Sequence, residues 1–317
     1  MIFKTIMEST MEDNTQYNTK EHNMPNFTML VGLPGSGKSY YAKHQYFQRC
    51  IISSDETRRE LFGDINDQTH NTKVFEHMKK QTILALKEGR SVIFDATNLV
   101  ARHRKGLLSQ LPRNTYKEVL VFATHPDVCK KRLPDRNHEV AVETVDKMMR
   151  RFQLPWYNEG WNHVQILHAW ENQEHRVDLE TMLVDAMTIP HDNPHHILSI
   201  GEHMRAMSDY AKYDLREPLT MRATLSRICR YHDIGKPDTK AFFNMKGKPT
   251  EIAHYYGHEN IGAYYALLSN KLSLQEVLCI NHHMDLFNIT YEKLEARFGK
   301  EIAHILAKVH EYDIQHP

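Results

Sequence analysis

Residues Gly32 to Ser39 read Gly-Leu-Pro-Gly-Ser-Gly-Lys-Ser and follow directly on an apolar run, Phe27 to Val31. No other stretch limits the possible folds as tightly. A strand that ends in so much glycine and resumes as a helix can turn successive backbone N–H groups inward around phosphate oxygens, and the helix adds its positive N-terminal end. The spacing G-x-x-x-x-G-K-[ST] assigns Gly35, Ser36, Gly37, Lys38 and Ser39 to a nucleoside triphosphate, with Lys38 on the β- and γ-phosphates and Ser39 on Mg²⁺. A glycine-rich turn with a chance lysine would lack the strand before it and the helical stretch Tyr40–Phe47 after it.

A chain of 317 residues exceeds one ordinary core and implies two domains. From Phe27 to His168 short apolar runs alternate with amphipathic stretches. The expected strands are Phe27–Val31, Cys50–Ser53, Ser91–Phe94, Glu118–Ala123 and Val164–Leu167, with helices near Thr69–Lys87, Ala101–Leu111, Pro126–Arg132 and Val142–Phe152. That alternation predicts a parallel sheet with helices on both faces. Past His168 the strand signal stops. A charged connector and a short helical pattern, Asp178–Met187, lead to segments that all read helical: Ile197–Leu215, Leu219–His232, Asn260–Leu268, Leu274–His283, Tyr291–Phe298 and Glu301–His310, with a long loop expected over Arg230–Gly257. The predicted organisation is a polar extension (1–26), an α/β domain (27–170), a linker (171–190) and an all-α domain (191–317).

Lys+Arg and Asp+Glu are both 40, so a polyanion would have to be held by a local basic patch. The four cysteines are far apart with no C-x-x-C pair, so neither a zinc knuckle nor a disulfide framework is indicated, which fits a reducing compartment. No apolar run approaches the ~18 residues of a membrane span, and residues 1–26 lack the apolar core of an export signal. A cytoplasmic location without membrane attachment is expected.

Further candidate residues follow the strands. Ser54-Asp55-Glu56-Thr57-Arg58 comes after the second strand, at the strand end where open α/β sheets bind ligands. Asp55 is placed to accept a proton from an attacking hydroxyl and Arg58, one turn on, to hold an anion; an aspartate here is also an ordinary helix N-cap, the preferred reading if it stood alone. Asp95 closes the third strand, where phosphate-loop enzymes keep an outer-shell Mg²⁺ carboxylate. Thr97 and Asn98 either bond the acceptor or shape the turn, and Arg102 and Arg104 follow. Arg132 and Arg136, with a proline between them, read either as a lid bringing guanidiniums to the triphosphate or as a solvated basic face.

Together these motifs, with Met149-Arg150-Arg151-Phe152-Gln153-Leu154-Pro155, resemble the polynucleotide 5′-hydroxyl kinase family over Phe27 to Tyr157. The resemblance implies ATP or another nucleoside triphosphate with Mg²⁺ as donor and Asp55 as general base. Arg58 would grip an acceptor phosphate, Arg132 and Arg136 the donor phosphates, and Thr97, Asn98 and Arg104 the substrate. Small-molecule kinases share the loop, so acceptor size is the least constrained element.

Histidine is the compositional outlier: of 22 in the chain, 12 lie between His191 and His316. His232-Asp233 opens His-Asp-Ile-Gly-Lys-Pro, with His203 upstream and His258, His283 and Asp313 downstream. Imidazole and carboxylate suit Mn²⁺, Fe²⁺, Co²⁺, Ni²⁺ or Mg²⁺. Neighbours on a helix point about 100° apart, so the pair can clasp ions from two directions, and a bridging aspartate can hold two. Two ions can activate water and stabilise a leaving oxygen. The spacing of His191, His195, His196, His304 and His310 demands no metal, and they are read as surface or packed residues; His254 and His282 are open either way.

From His191 onward the chain resembles the HD phosphohydrolase superfamily, through Ser199-Ile200-Gly201-Glu202-His203, the His232-Asp233 doublet and Asp313. Asn193-x-x-His196, Gly257-His258 and His283-Met284 are similar to the domain appended to bacterial CCA-adding nucleotidyltransferases. This implies a site for two divalent metals (Mn, Co, Ni or Fe) and Lys236 on a phosphate. The pairing of domains resembles bifunctional nucleic-acid end-healing enzymes of bacteria and phage, although in the bacterial examples the HD domain comes first. That implies phosphorylation of 5′-hydroxyl ends and removal of 2′,3′-cyclic or 3′-phosphates, on RNA rather than DNA, with an RNA ligase as functional partner, in the cytoplasm of the cell or phage host. Two other readings stand beside it: a nucleoside or small-molecule kinase fused to an HD nucleotidase, and a kinase with a non-catalytic HD binding module.

Overall fold

A computed structural model describes residues 24–45, 49–133, 141–168, 176–194 and 196–315. Residues 1–23 of the expected extension, 171–175 of the expected linker, and Arg136 lie outside the described residues. The chain divides into two compact units: the described residues of Met1–Val145 with Pro155–His175, and those of Asp146–Leu154 with Arg176–Pro317.

In the first unit β1 (Asn26–Val31) leads through the glycine-rich loop into α1 (Lys38–Gln45). There follow β2 (Cys50–Ser53), α2 (Ser54–Phe62), α3 (Asn71–Lys87), β3 (Val92–Asp95), α4 (Ala101–Leu108), β4 (Tyr116–Ala123), α5 (Pro126–Arg132), α6 (Glu143–Met149, which runs past Val145) and β5 (His163–His168). The five strands form one sheet in the order β2-β3-β1-β4-β5, and every pairing is parallel. Val92 to Asp95 are all buried, as are Phe27 to Val31; such unbroken burial belongs to a sheet covered on both faces. Leu30, Ala42, Ile93, Leu120, Phe122 and Leu167 form one core cluster. Strand order reverses at β1, which lies between β3 and β4, so a crevice opens at the carboxyl ends of the strands. There the register sets Asp95 beside both Leu30 and Ser53.

The second unit contains α7 (Leu179–Ala186), α8 (Ile200–Tyr213), α9 (Leu219–Tyr231), α10 (His258–Ser269), α11 (Leu274–His282), α12 (Tyr291–Phe298) and α13 (Lys300–Gln315). Ser199 and Ser273 open α8 and α11 with reciprocal capping boxes to Glu202 and Glu276. The unit is not all-α as expected. Within Arg230–Gly257, read as a loop, lies an antiparallel ribbon of β6 (Lys240–Phe243) and β7 (Pro249–Tyr255). Its pairing is irregular and its strands, Ala253 apart, are exposed or half-buried, so it shows no clean alternation of apolar and polar residues.

Asp146–Leu154, expected within the first domain, groups with the second unit. Phe152 is fully buried, edge-on to Tyr264 at 5.0 Å between ring centroids. The Leu154 N–H donates to Asn281 Oδ1 (2.8 Å), and Asn281 Nδ2 donates to the Phe152 carbonyl (3.2 Å). Likewise α7, expected in the linker, packs on α8 and α10.

Candidate functional site

In the first unit the glycine-rich loop wraps around the Lys38 ammonium, which donates to the carbonyls of Gly32 (2.9 Å) and Leu33 (2.7 Å) and to Ser36 Oγ (3.2 Å). Lys38 and Ser36 are buried, and Ser39 follows on the first turn of α1. Gly35 cannot be replaced: its φ is +81°, and a Cβ there would lie 2.5 Å from the Cys129 carbonyl oxygen on α5. The Thr124 hydroxyl donates to the Ser36 carbonyl (3.1 Å), and Arg132 Nη1 to that of Gly35 (3.3 Å), so the residues after β4 brace the loop.

Asp55 is not the helix cap. Ser53 caps α2, its hydroxyl accepting from the Asp55 N–H, and the Asp55 carboxylate is left to pair with Arg58 Nη1 at 3.1 Å. Arg58 is buried and its Nη2 donates to Asn71 Oδ1 at 2.7 Å, which fixes the guanidinium against Asp55. Asp95 is buried at the end of β3, next in register to Ser53.

Two expected substrate contacts take structural roles instead. Arg104 is 1% exposed; its Nε and Nη2 donate to the Glu159 carboxylate (2.8 and 2.5 Å) and its Nη1 to the Asn98 carbonyl (3.0 Å), so the guanidinium is held inside the unit and closed to solvent. Asn98 adopts φ +50° and ties its side-chain amide to the Leu30 carbonyl (2.7 Å), shaping the turn after β3. The Thr97 carbonyl accepts from the Gly32 N–H (3.1 Å), so this turn also supports the start of the phosphate loop.

In the second unit six residues from five helical segments converge. His203, His232 and Asp313 form one group and Asp233, His258 and His283 another, the ligand atoms of each within 4.8 Å of one another. Asp233 faces both groups. Its Oδ1 is 3.2 Å from His258 Nε2 and 3.6 Å from His283 Nε2; its Oδ2 is 3.2 Å from His232 Nε2 and 3.7 Å from His203 Nε2. Asp313 Oδ1 lies 3.1 Å from His203 Nε2. His232, His258 and His283 each place Nδ1 on the carbonyl three residues earlier, Cys229, Tyr255 and Ile280, at 2.7–2.8 Å. That bond holds the Nδ1–H tautomer and turns the Nε2 lone pair toward the shared centre, the arrangement of metal-binding histidines. The buried His232 Nε2 and Asp233 Oδ2 make no aligned hydrogen bond, as expected of atoms aimed at a common point. The donor set fits two divalent cations.

The electrostatics agree. Burial opposes charge on His232, but the adjacent Asp233 and Asp313 outweigh it and push its pKa up. Burial likewise opposes ionisation of Asp233, and His232 and Lys236 hold it well below the usual carboxylate range. A cation would take the place of the proton drawn onto His232. Burial pushes His283 down.

Lys236 Nζ lies 2.6 Å from Asp233 Oδ2 and 3.3 Å from His191 Nε2. His191 and His196, read from the sequence as packed or surface residues, form this wall of the site. Their rings stack at 4.0 Å, and His196 meets His203 edge-on at 4.9 Å. Burial first, and the Lys236 charge second, lower His191 to about 4 and His196 to about 3, so both are neutral at pH 7. The available signal was the Asn193-x-x-His196 pattern beside His203. His282 instead pairs with Asp285 (3.1 Å), His304 with Glu217 (3.0 Å), and His254 stacks on Tyr256.

The sheet order and the loop define the first unit as a P-loop α/β domain, and residues 27–155 match the family model described as an AAA domain. A curated relative, "Transcription factor bHLH140" of Arabidopsis thaliana, is 26% identical over 170 residues, 51% of this chain; the chain spans only 18% of that relative's length. Similar solved structures include the Pnkp1/Rnl/Hen1 RNA repair complex (24% identity, 42% of this chain and 45% of that one, TM-score 0.37). A fungal RNA kinase is also similar (18% identity, 47% and 40%, TM-score 0.35). Among the described residues no helix is long and apolar enough to cross a membrane.

Proposed function

We propose that the chain is a nucleic-acid end-healing enzyme that phosphorylates 5′-hydroxyl ends and removes 2′,3′-cyclic or 3′-phosphates, with RNA the favoured polymer. The observation that carries the reading is Asp233 set between two ligand groups in a chain that also holds a phosphate loop and an Asp55–Arg58 pair. In the first unit Lys38 and Ser39 take the ATP phosphates and Mg²⁺, joined by Arg132 and, outside the described residues, Arg136. Asp55 accepts the proton of the 5′-hydroxyl as its oxygen attacks the γ-phosphorus and ADP leaves. Arg58 orients that carboxylate and meets the acceptor's phosphate.

In the second unit His203, His232 and Asp313 would hold one divalent ion and His258 and His283 another, with Asp233 offering an oxygen to each. Such a pair supplies an activated water and a Lewis acid for the leaving oxygen. Lys236 neutralises a phosphate oxygen, and the neutral His191 and His196 close that wall. One water adds to phosphorus and breaks one P–O bond, opening a 2′,3′-cyclic phosphate to a phosphomonoester; a second water breaks the remaining P–O bond to ribose, releasing inorganic phosphate and leaving the hydroxyls. The products, a 5′-phosphate and a 3′-hydroxyl, are what an RNA ligase consumes, so a ligase is the natural functional partner.

The test is an end-group assay on a short RNA bearing a 5′-hydroxyl and a 2′,3′-cyclic phosphate, with ATP, Mg²⁺ and Mn²⁺, Co²⁺ or Ni²⁺. Both ends should be converted, and Asp233→Ala should lose the 3′ reaction while keeping the 5′ one. Hydrolysis confined to free nucleotides, or absent with every metal, would sink the assignment.

A further inference from the structure

The ribbon β6–β7 starts at the candidate metal site and carries exposed aromatic and basic side chains away from it. At its base the Tyr255 hydroxyl donates to the His191 carbonyl and the Tyr255 ring faces Lys236 Nζ at 5.4 Å. Lys240 pairs with Asp192 at 2.6 Å, and the Ala253 N–H donates to the Asp192 carbonyl at 2.8 Å. The root is therefore fixed to the wall formed by His191 and Lys236. Farther out, Phe242, Phe243 and Met245 are 41%, 53% and 86% exposed. The pairing shifts register between Ala241 and Phe243, and both phenylalanines remain in solvent. Tyr256, beside the root, is also exposed and stacked on His254 with planes 10° apart.

Charge decides which partner suits this surface. From Lys240 to Tyr256 there are three lysines, of which Lys240 is paired with Asp192, and one acid, Glu251, in a chain whose formal charges sum to zero. Lys246 and Lys248 are exposed at the tip, and Lys240 Nζ lies over the Phe242 ring at 6.0 Å. Flat π-faces interleaved with ammonium groups match the bases and phosphates of a single strand, and this pairing is tolerant of sequence. An aliphatic protein segment would gain nothing from the lysines.

We infer that the β6–β7 ribbon is a docking platform for a single-stranded polynucleotide, which leads the strand's terminal phosphate to the site at the ribbon's base. The inference rests on the proposed phosphohydrolase reading of that site. β7 extends about 20 Å at ~3.3 Å per residue, so a mononucleotide bound at the base leaves the tip empty whereas an oligonucleotide covers it.

The experiment compares the full chain with Phe242→Ala/Phe243→Ala and with Lys246→Ala/Lys248→Ala. Leu215→Ala, at a site 85% exposed on another part of the unit, is the control. Hydrolysis is measured on a ten-nucleotide RNA ending in a 2′,3′-cyclic phosphate and on 2′,3′-cyclic AMP. The expected result for the aromatic pair is a KM on the RNA raised about tenfold or more, as loss of base stacking dictates, with cyclic AMP turnover unchanged. The lysine pair should lose RNA affinity and show a shallower salt dependence. Unchanged KM on the RNA, equal losses on both substrates, or an altered sedimentation coefficient with intact RNA kinetics would overturn the platform; the last would mark a protein contact. If the wild type hydrolyses neither substrate, the phosphohydrolase reading fails instead. Fluorescence anisotropy with a 5′-phosphorylated RNA, without ATP, then decides the platform separately: equal binding by wild type and variants refutes it.

Discussion

Gly235 sits where the His232-Asp233 turn touches the start of α10, and Gly235→Ala tests whether that contact sets the two-group site. A Cβ at 235 would lie 2.2 Å from the His258 carbonyl oxygen and 2.7 Å from the Gly262 nitrogen. Non-bonded heavy atoms settle near 3.5 Å, so helix and turn must separate by about 1 Å. Overpacking of this kind costs about 1–3 kcal/mol. The site is far less forgiving than the fold, because ligand distances tolerate only about ±0.2 Å. His258 is the first residue of α10, and its Nε2 is 3.2 Å from Asp233 Oδ1 and 3.2 Å from His283 Nε2. The displacement therefore falls directly on the Asp233, His258 and His283 group. The variant should fold, melt a few degrees lower, and retain under about a tenth of wild-type metal after loading with Mn²⁺ and desalting, as read by elemental analysis. Phosphoryl transfer, in the other unit, reports that the chain is intact. Full metal content with an unchanged melting curve would refute the reasoning.

Three further outcomes are expected. Asp55→Asn should lower phosphoryl transfer about 10²–10⁴-fold while ATP still binds, whereas Lys38→Ala should weaken ATP binding itself; near-normal rates in the asparagine variant would remove Asp55 from the chemistry. Glu159→Ala strands the buried Arg104 guanidinium and should cost about 3–5 kcal/mol in denaturant titration. A loss below 1 kcal/mol would mean that water reaches the pair. Arg230 holds the Glu180 carboxyl down at about 2, so the stability it contributes is present above the unfolded value near 4.5 and fades as pH falls toward 2. Because the pair is half exposed, Glu180→Gln should cost under about 1 kcal/mol at pH 7, and the melting difference from wild type should vanish on acidification; a difference that grew would contradict the pairing.

Local pattern alone made much of the architecture legible. β2, α5 and α12 span the residues expected of them, because each is a short run bounded by its own turn or cap signals. The phosphate loop was legible for the same reason: its chemistry lies in eight consecutive residues. The six proposed metal ligands could be named because their residue types are scarce and the His-Asp doublet anchors the set. That Asp233 divides its two oxygens between two groups depends on how five helical segments pack, which no spacing encodes. Arg104 and Asn98 show the limit from the other side. Both are polar and lie close to the phosphate loop in sequence pattern, yet Glu159, 55 residues along the chain, pairs with the buried arginine, and the Leu30 carbonyl on a neighbouring strand takes the asparagine. His191 carries no signal in its spacing and His196 only the Asn193-x-x-His196 pattern; packing against Lys236 and His203 gives them their place. What lies within one turn or one strand the sequence settles through backbone sterics and hydrogen bonding; which polar groups remain available for chemistry is settled by partners that only the folded chain brings near.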